Sequence, residues 1–324
     1  MVTPRILITS IFLRAGDEVD RRLREAGFEP VYHPLTGKRT EEELIDLLRG
    51  IDGVIVSSDP FTARVLAAAP QLKVISRTGV GYDAIDMKAA TARGIVVTTT
   101  PGVNRHAVAE WAMALMLCCA RKLTTNLDEV RRGGWTRHEG IDLAGKTLGL
   151  VGLGTIGKEV AQRATAFEMR ILAYDLVQDL PFAEAHRVTF VPLDQLLRES
   201  DFVSLHLFLN DASRHLINAE RLALMKPTAY LINTARGGIV DTAALCLALK
   251  EKRIAGAGLD VVESEPLPPD SPLRECNNVY LSPHVGGASA DARRLSGAMA
   301  AENLIRALRG ERPQGIVNPE VLAR

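Results

Sequence analysis

The chain has 324 residues, and one hydrophobic core rarely grows much past about 250–300 residues, so two domains are expected. Hydrophobic residues make up 47% and charged residues 24%, which is ordinary for a globular protein. Lys and Arg number 39 and so do Asp and Glu, leaving no charge excess to attract nucleic acid or an anionic membrane surface.

Short apolar, β-branched runs alternate with helical patterns from the start. Strands are predicted at Ile6–Ile8, Gly53–Val56, Leu72–Ile75 and Ile95–Thr98, with helices at Glu18–Ala26, Glu41–Arg49 and Met87–Arg93. Gly27, Gly50 and Gly94 follow these helices, as C-cap glycines do. A long helix, Val108–Lys122, comes next. Its most apolar stretch, Trp111–Ala120, is far short of the ~20 residues a membrane span needs, so it reads as a buried helix. Six further strands are predicted at Thr147–Val151, Arg170–Asp175, Phe202–Leu207, Ala229–Asn233, Gly256–Val261 and Val279–Leu281. A closing helix is predicted over Ala288–Gly310, and Pro266–Pro272 reads as an irregular loop. Strand–helix alternation of this kind implies parallel α/β sheets.

The N-terminus lacks a basic segment followed by a long apolar run, so no signal peptide is expected. The cysteines are Cys118, Cys119, Cys246 and Cys276. None forms a C-x-x-C pair, so no metal site and no disulfide framework is expected, and a reduced, cytoplasmic setting fits.

The strongest local signal is Gly152-Leu-Gly154-Thr155-Ile156-Gly157, a G-x-G-x-x-G between a strand and a helical pattern that runs from Lys158 to Phe167. Gly152 permits the tight turn, Gly154 lets backbone approach a pyrophosphate and Gly157 lets helix pack on strand. The helix N-terminus then offers N–H groups to the phosphates. Asp175 closes the next strand, 18 residues past Gly157, near the ~20 expected of the acid that holds the adenosine ribose. An acid there repels a 2′-phosphate, which favours NAD over NADP.

Three more segments end apolar strands in polar groups. They are Leu231-Ile-Asn-Thr234-Ala-Arg236-Gly-Gly-Ile-Val-Asp241, Gly258-Leu-Asp260-Val-Val-Glu263-Ser-Glu265-Pro266 and Leu281-Ser-Pro-His284-Val-Gly-Gly287. In an open α/β sheet that edge binds ligands. A guanidinium fork suits the paired oxygens of a 2-keto acid. Hydride arriving at the carbonyl carbon builds charge on oxygen, which a protonated imidazole relieves by proton transfer. A carboxylate on the imidazole's other nitrogen fixes its tautomer and favours the charged form. Singly, each residue has a blander explanation, since most arginines in turns are solvated and most histidines are structural. Together with the glycine motif they point to a dehydrogenase.

These motifs closely resemble the D-2-hydroxyacid dehydrogenase family, and the resemblance runs from the segment near Ser57 to Val317-Asn318. It implies NAD-dependent, reversible hydride transfer on a small 2-hydroxy or 2-keto acid of the phosphoglycerate, hydroxypyruvate or glyoxylate class. Arg236 resembles the substrate-binding arginine and His284 the acid/base. Glu265 resembles its carboxylate partner, chosen over Glu263 by the pattern D-V-x-x-x-E-P from Asp260. Asp260 resembles the contact to the nicotinamide carboxamide. Asn104 and Val108 resemble the segment entering the cofactor domain, and Gly79, Val80 and Gly81 the loop that receives the substrate carboxylate. Thr155, Ile156 and Thr234 belong to cofactor-binding motifs, and His206, where the family often has H-x-P-L, is read as near the cofactor.

The resemblance implies a Rossmann domain, 104–287, inserted into a flavodoxin-like substrate domain, 1–103 and 288–324, with the reaction in the cleft between them. It also implies a homodimer through the NAD-binding domain, with the arm Thr124–Gly145, including Trp135 and Arg137, wrapping the partner. The phosphoglycerate dehydrogenase branch is nearest, through Arg77-Thr-Gly-Val-Gly-Tyr-Asp83 and Ala235–Asp241. Ser57 stands where that branch commonly has a phosphate-facing arginine, and Asp59 lies beside it, which weakens the case for a phosphorylated substrate. Ser57 and Arg77 are nevertheless candidates for substrate contact. Two competing readings are a formate dehydrogenase, which pairs its histidine with Gln rather than Glu, and an NAD-sensing partner-binding protein of the C-terminal binding protein type.

Overall fold

The computed structural model describes residues 3–35, 37 and 39–323. The chain divides into two compact units, Met1–Asn104 with Ala288–Arg324, and Arg105–Gly287.

In the first unit five strands, β1 (Arg5–Ile8), β2 (Glu29–Tyr32), β3 (Gly53–Val56), β4 (Val74–Arg77) and β5 (Val96–Thr98), lie in the order β2-β1-β3-β4-β5. Every pairing is parallel. This is the flavodoxin-like order. Ile6, Ile8, Val54, Ile55 and Ile75 are fully buried, because helices cover both faces of a parallel sheet. One of them comes from the far end of the chain. The helix Ala290–Leu308 lies on β3, β4 and β5, and Ser76 Oγ donates to the Ala300 carbonyl at 2.8 Å. Buried Asn318 finishes the job, accepting from Val97 N at 2.9 Å and donating to the Ile95 carbonyl at 2.9 Å.

Helix ends follow local chemistry. Thr40 and Glu43 form a reciprocal capping box, which satisfies two orphan donors at the start of Glu41–Leu47. Gly27 and Gly94 take positive φ after their helices. Phe28 N and Ile95 N reach back to Leu23 O and Ala90 O, the bond pattern of a glycine C-cap.

In the second unit seven strands, β6 (Thr147–Val151), β7 (Arg170–Tyr174), β8 (Val188–Phe190), β9 (Phe202–Leu205), β10 (Tyr230–Asn233), β11 (Gly256–Leu259) and β12 (Val279–Leu281), run in the order β12-β11-β10-β9-β6-β7-β8. All are parallel. Six of them form the Rossmann order, reversing between β6 and β9, and β12 extends it. Helix Arg105–Arg121 buries Ala112, Met113, Leu115, Met116 and Cys119 and packs on β10, β11 and helix Thr155–Ala166.

The sequence reading missed β2 and β8. Both are edge strands, only partly buried, and β2 carries Pro30, which an edge tolerates. Neither leaves an apolar run. β4 starts two residues later than expected, because Leu72 closes a turn onto Ala69. The long helix begins at Arg105 and the glycine-motif helix at Thr155, each about one turn earlier than apolar periodicity indicated. β9 ends at Leu205 and β11 at Leu259, which leaves His206 and Asp260 on loops.

Candidate active site

In the second unit the singled-out residues gather at the carboxyl edge of the sheet. β6 ends and the chain turns through Gly152 at φ +100°, where a β-carbon would lie 2.6 Å from the His206 carbonyl oxygen. One at Gly157 would lie 2.2 Å from the Gly152 oxygen. Only glycine lets the helix start this close to the strand. At Gly154 a β-carbon would meet no atom within 4 Å, and no side chain caps the helix it begins. A helix that starts on a residue with no capping side chain leaves N–H groups for an anion such as a pyrophosphate. Thr155 opens the helix exposed, while Ile156 packs inward.

Asp175, just past β7, has a structural task as well. Its Oδ2 accepts from Leu153 N at 2.7 Å and its Oδ1 from Val177 N at 3.1 Å, tying the acid to the glycine loop. His206 lies just past β9 with Nε2 2.9 Å from Ser204 Oγ. Burial pushes this imidazole down to about 4, so it is neutral at neutral pH. Thr234 Oγ1 is buried without a hydrogen-bond partner, a cost that a bound group would relieve. These features fit a dinucleotide. Val108 is buried in its helix. Asn104, the last residue of the first unit, also has a buried Oδ1 without a partner.

Arg236 follows β10 on a turn shaped by Asn233. The Asn233 side chain accepts from Ala235 N at 3.0 Å and donates to Arg236 O at 2.9 Å. Arg236 Nη1 donates to the Ala235 carbonyl at 2.7 Å. Next to it, Gly237 packs on the Val262 backbone so closely that a β-carbon would fall 1.9 Å from Val262 C. The arginine turn is thereby pressed onto the loop that leads to Glu265.

That loop and the one after β12 carry the pair. Glu265 Oε2 lies 2.8 Å from His284 Nδ1, and its Oε1 accepts from Val262 N at 3.2 Å. Burial would raise the Glu265 carboxyl, but the hydrogen bond and charge of His284, the Val262 amide and the Arg236 guanidinium outweigh it and hold it below the usual range. Glu263 is engaged elsewhere, with His215 Nε2 at 2.6 Å and Thr242 N at 3.0 Å.

His284 adopts φ +54°, which is costly for a side chain with a β-carbon. Asp260 holds it there. His284 N donates to the Asp260 carbonyl at 2.8 Å. The buried Asp260 carboxylate accepts from Ser282 Oγ at 2.6 Å, Val285 N at 2.9 Å and Gly286 N at 2.7 Å. Trp111 Nε1 donates to Ser282 Oγ at 3.1 Å. Asn233, Gly237, Ser282 and Trp111 were not singled out in the sequence. Asn233 and Gly237 flank Arg236 in its own motif and could have been found there. Ser282 could have been suspected beside His284, but Trp111 is too distant in the chain to be paired with it by inspection.

In the first unit Ser57 follows β3, with its hydroxyl 3.0 Å from both Ser10 Oγ and Thr78 Oγ1. Arg77 ends β4 and folds back over Gly79, where a β-carbon would meet its Nη1 at 2.0 Å. The Gly79 carbonyl accepts from Thr100 N at 2.9 Å, and Val80 and Gly81 continue the loop. Among the described residues no cluster of three or more His, Cys, Asp or Glu could hold a metal ion, and no helix is long and apolar enough to cross a membrane.

Residues 113–286 match the family model described as the NAD-binding domain of D-isomer-specific 2-hydroxyacid dehydrogenases. A glyoxylate reductase of Korarchaeum cryptofilum is 47% identical over 290 residues, 87% of each chain. A D-3-phosphoglycerate dehydrogenase of Methanocaldococcus jannaschii is 43% identical over 283 residues, 86% of this chain and 54% of that one. Among solved structures, an NADPH-dependent glyoxylate/hydroxypyruvate reductase of Sinorhizobium meliloti superposes with a TM-score of 0.84 at 32% identity, covering 98% of this chain and 97% of the other. The chain belongs to the D-isomer-specific 2-hydroxyacid dehydrogenases, NAD-dependent oxidoreductases of small 2-hydroxy and 2-keto acids.

Proposed function

We propose that this protein reduces small unphosphorylated 2-keto acids, glyoxylate and hydroxypyruvate foremost, with NADH. The observation that carries the reading is the 2.8 Å approach of Glu265 Oε2 to His284 Nδ1. The nicotinamide supplies the hydride when bound. His284 holds the proton at Nε2, because Nδ1 faces Glu265, and delivers it to the carbonyl oxygen as charge grows there. Glu265, held below the usual carboxylate range and so ionised at neutral pH, keeps the imidazole oriented. Arg236 fixes the keto acid through its fork. The loop of Gly79, Val80 and Gly81 is assigned to the substrate carboxylate, with Ser57 and Arg77 beside it. Asp260 acts on the reaction through the His284 loop as well as through any contact to the carboxamide.

The relatives named glyoxylate reductase support the substrate class, and Asp175 supports NADH over NADPH. We also assign a homodimer through the second unit, in the cytoplasm. Helix Leu123–Arg131 buries none of its residues, and with Leu127, Val130 and Trp135 exposed, the last at 77%, this arm presents the kind of apolar surface that marks an interface. The test is NADH consumption across glyoxylate, hydroxypyruvate and pyruvate, with light scattering for mass. Turnover of the first two by a dimer is expected. Tight NADH binding with no turnover of any 2-keto acid would contradict the reading.

A further inference from the structure

The flavodoxin-like sheet reverses its strand order between β1 and β3, and ligands of such sheets sit outside the carboxyl ends of the strands at that point. Here the position is built from Thr9 and Ser10 after β1, Ser57 and Asp59 after β3, and Thr78 after β4. Thr9 and Ser10 are buried. Ser10, Ser57 and Thr78 join their hydroxyls in a ring, with separations of 3.0, 3.0 and 3.3 Å.

Beside the hydroxyls lies an ion pair. Arg39 Nε donates to Asp59 Oδ1 at 3.0 Å, and the two side chains are 8% and 11% exposed. The second Asp59 oxygen accepts from Thr9 Oγ1 at 2.5 Å, and Arg39 Nη2 donates to the His33 carbonyl at 2.7 Å. A buried pair adds little net stability, since desolvation offsets attraction. Its effect on the local field is larger. Asp59 neutralises Arg39 and turns it onto protein acceptors, while the hydroxyls, with Thr78 donating to the Val56 carbonyl at 3.1 Å, add no positive charge. A phosphate dianion entering here would meet a carboxylate whose compensating cation is already engaged.

We propose that the Asp59–Arg39 pair is the specificity device of the first unit, holding a latent phosphate-binding arginine closed so that neutral-ended 2-keto acids are preferred to phosphorylated ones. This rests on the reading of the protein as a 2-keto acid reductase. Freeing Arg39 should open the site to phosphate, because a guanidinium makes strong charge-assisted bonds to phosphate oxygens.

The experiment measures kcat and KM with NADH for hydroxypyruvate and 3-phosphohydroxypyruvate in the parent, Asp59→Asn, Arg39→Met and the double variant. The parent should prefer hydroxypyruvate. Asp59→Asn should raise the phosphorylated-to-unphosphorylated ratio of kcat/KM by roughly tenfold or more, through a lower KM for the phosphorylated acid rather than a higher kcat. The double variant should lose that gain. A ratio unmoved in Asp59→Asn, or a gain that survives in the double variant, would overturn the proposal. Should Asp59→Asn fail to fold, inhibition of the parent decides: weaker inhibition by D-3-phosphoglycerate than by D-glycerate supports the device, and equal or stronger inhibition overturns it. A parent that reduces no 2-keto acid contradicts the reductase reading instead, so the two failures are told apart.

Discussion

Gly237 and Val262 are packed backbone to backbone, with room for no side chain at 237, since a β-carbon there would sit 1.9 Å from the Val262 carbonyl carbon. The contact joins the turn that carries Arg236 to the loop that carries Glu265. Neither atom set is the far end of a flexible side chain, so a methyl group must push the two loops apart. Gly237→Ala should lower kcat/KM for keto acids by roughly 10²-fold, as misplacement of about an ångström does. NADH affinity should change much less. Steady-state kinetics with an NADH fluorescence titration measures both. Unchanged keto-acid kinetics would show that the spacing of the two loops is not what the reaction needs.

The second prediction concerns Asp175. Its carboxylate is expected to repel a 2′-phosphate, and it also holds the glycine loop through Leu153 N at 2.7 Å. Asp175→Ala should therefore do two things at once. The NADPH-to-NADH ratio of kcat/KM should rise, while kcat/KM with NADH falls because the loop loses its tether. A parent that already prefers NADPH would refute the assignment of Asp175 to cofactor choice.

Much of this site was legible in the chain because each residue lies where a short apolar run stops. Gly152, Gly154 and Gly157 carried their own spacing, and Arg236 and His284 each lie three residues past the end of a strand. The choice of Glu265 over Glu263 needed the family pattern, since both acids lie on one loop, and the structure gives Glu263 to His215. What stayed hidden depends on contacts between distant segments. Trp111 reaches Ser282 across 171 residues of chain. Arg39 and Asp59 sit on separate loops, and nothing in the periodicity of either predicts their pairing. The edge strands β2 and β8 escaped because edges need no continuous apolar run.

Acid stability supplies a third prediction. Burial lowers the folded-state value of His206 to about 4, while an unfolded histidine titrates near ~6.5. Between those values the unfolded chain binds more protons, so stability falls as pH drops. The contribution is fully present above the unfolded value and is lost progressively down to about pH 4, amounting to about 2–3 kcal/mol by pH 4.5. His206→Gln should lose less stability than the parent between pH 7 and pH 4.5 in urea unfolding. Equal losses in the two proteins would mean that His206 is not buried neutral.

The most direct test of the account compares keto-acid reduction against pH in the parent, Glu265→Gln and His284→Gln, after each is shown to fold and bind NADH. Glu265→Gln leaves an amide where the carboxylate oxygen now lies 2.8 Å from Nδ1 but removes the negative charge beside the proton donor. Its kcat/KM for keto acids should fall by roughly tenfold or more while NADH affinity is kept. His284→Gln should lose roughly 10²–10⁴-fold at every pH, because no proton donor remains. Keto-acid kinetics in Glu265→Gln equal to the parent's at every pH, with proton transfer limiting the rate, would contradict the claim that Glu265 and His284 work as the acid–base pair.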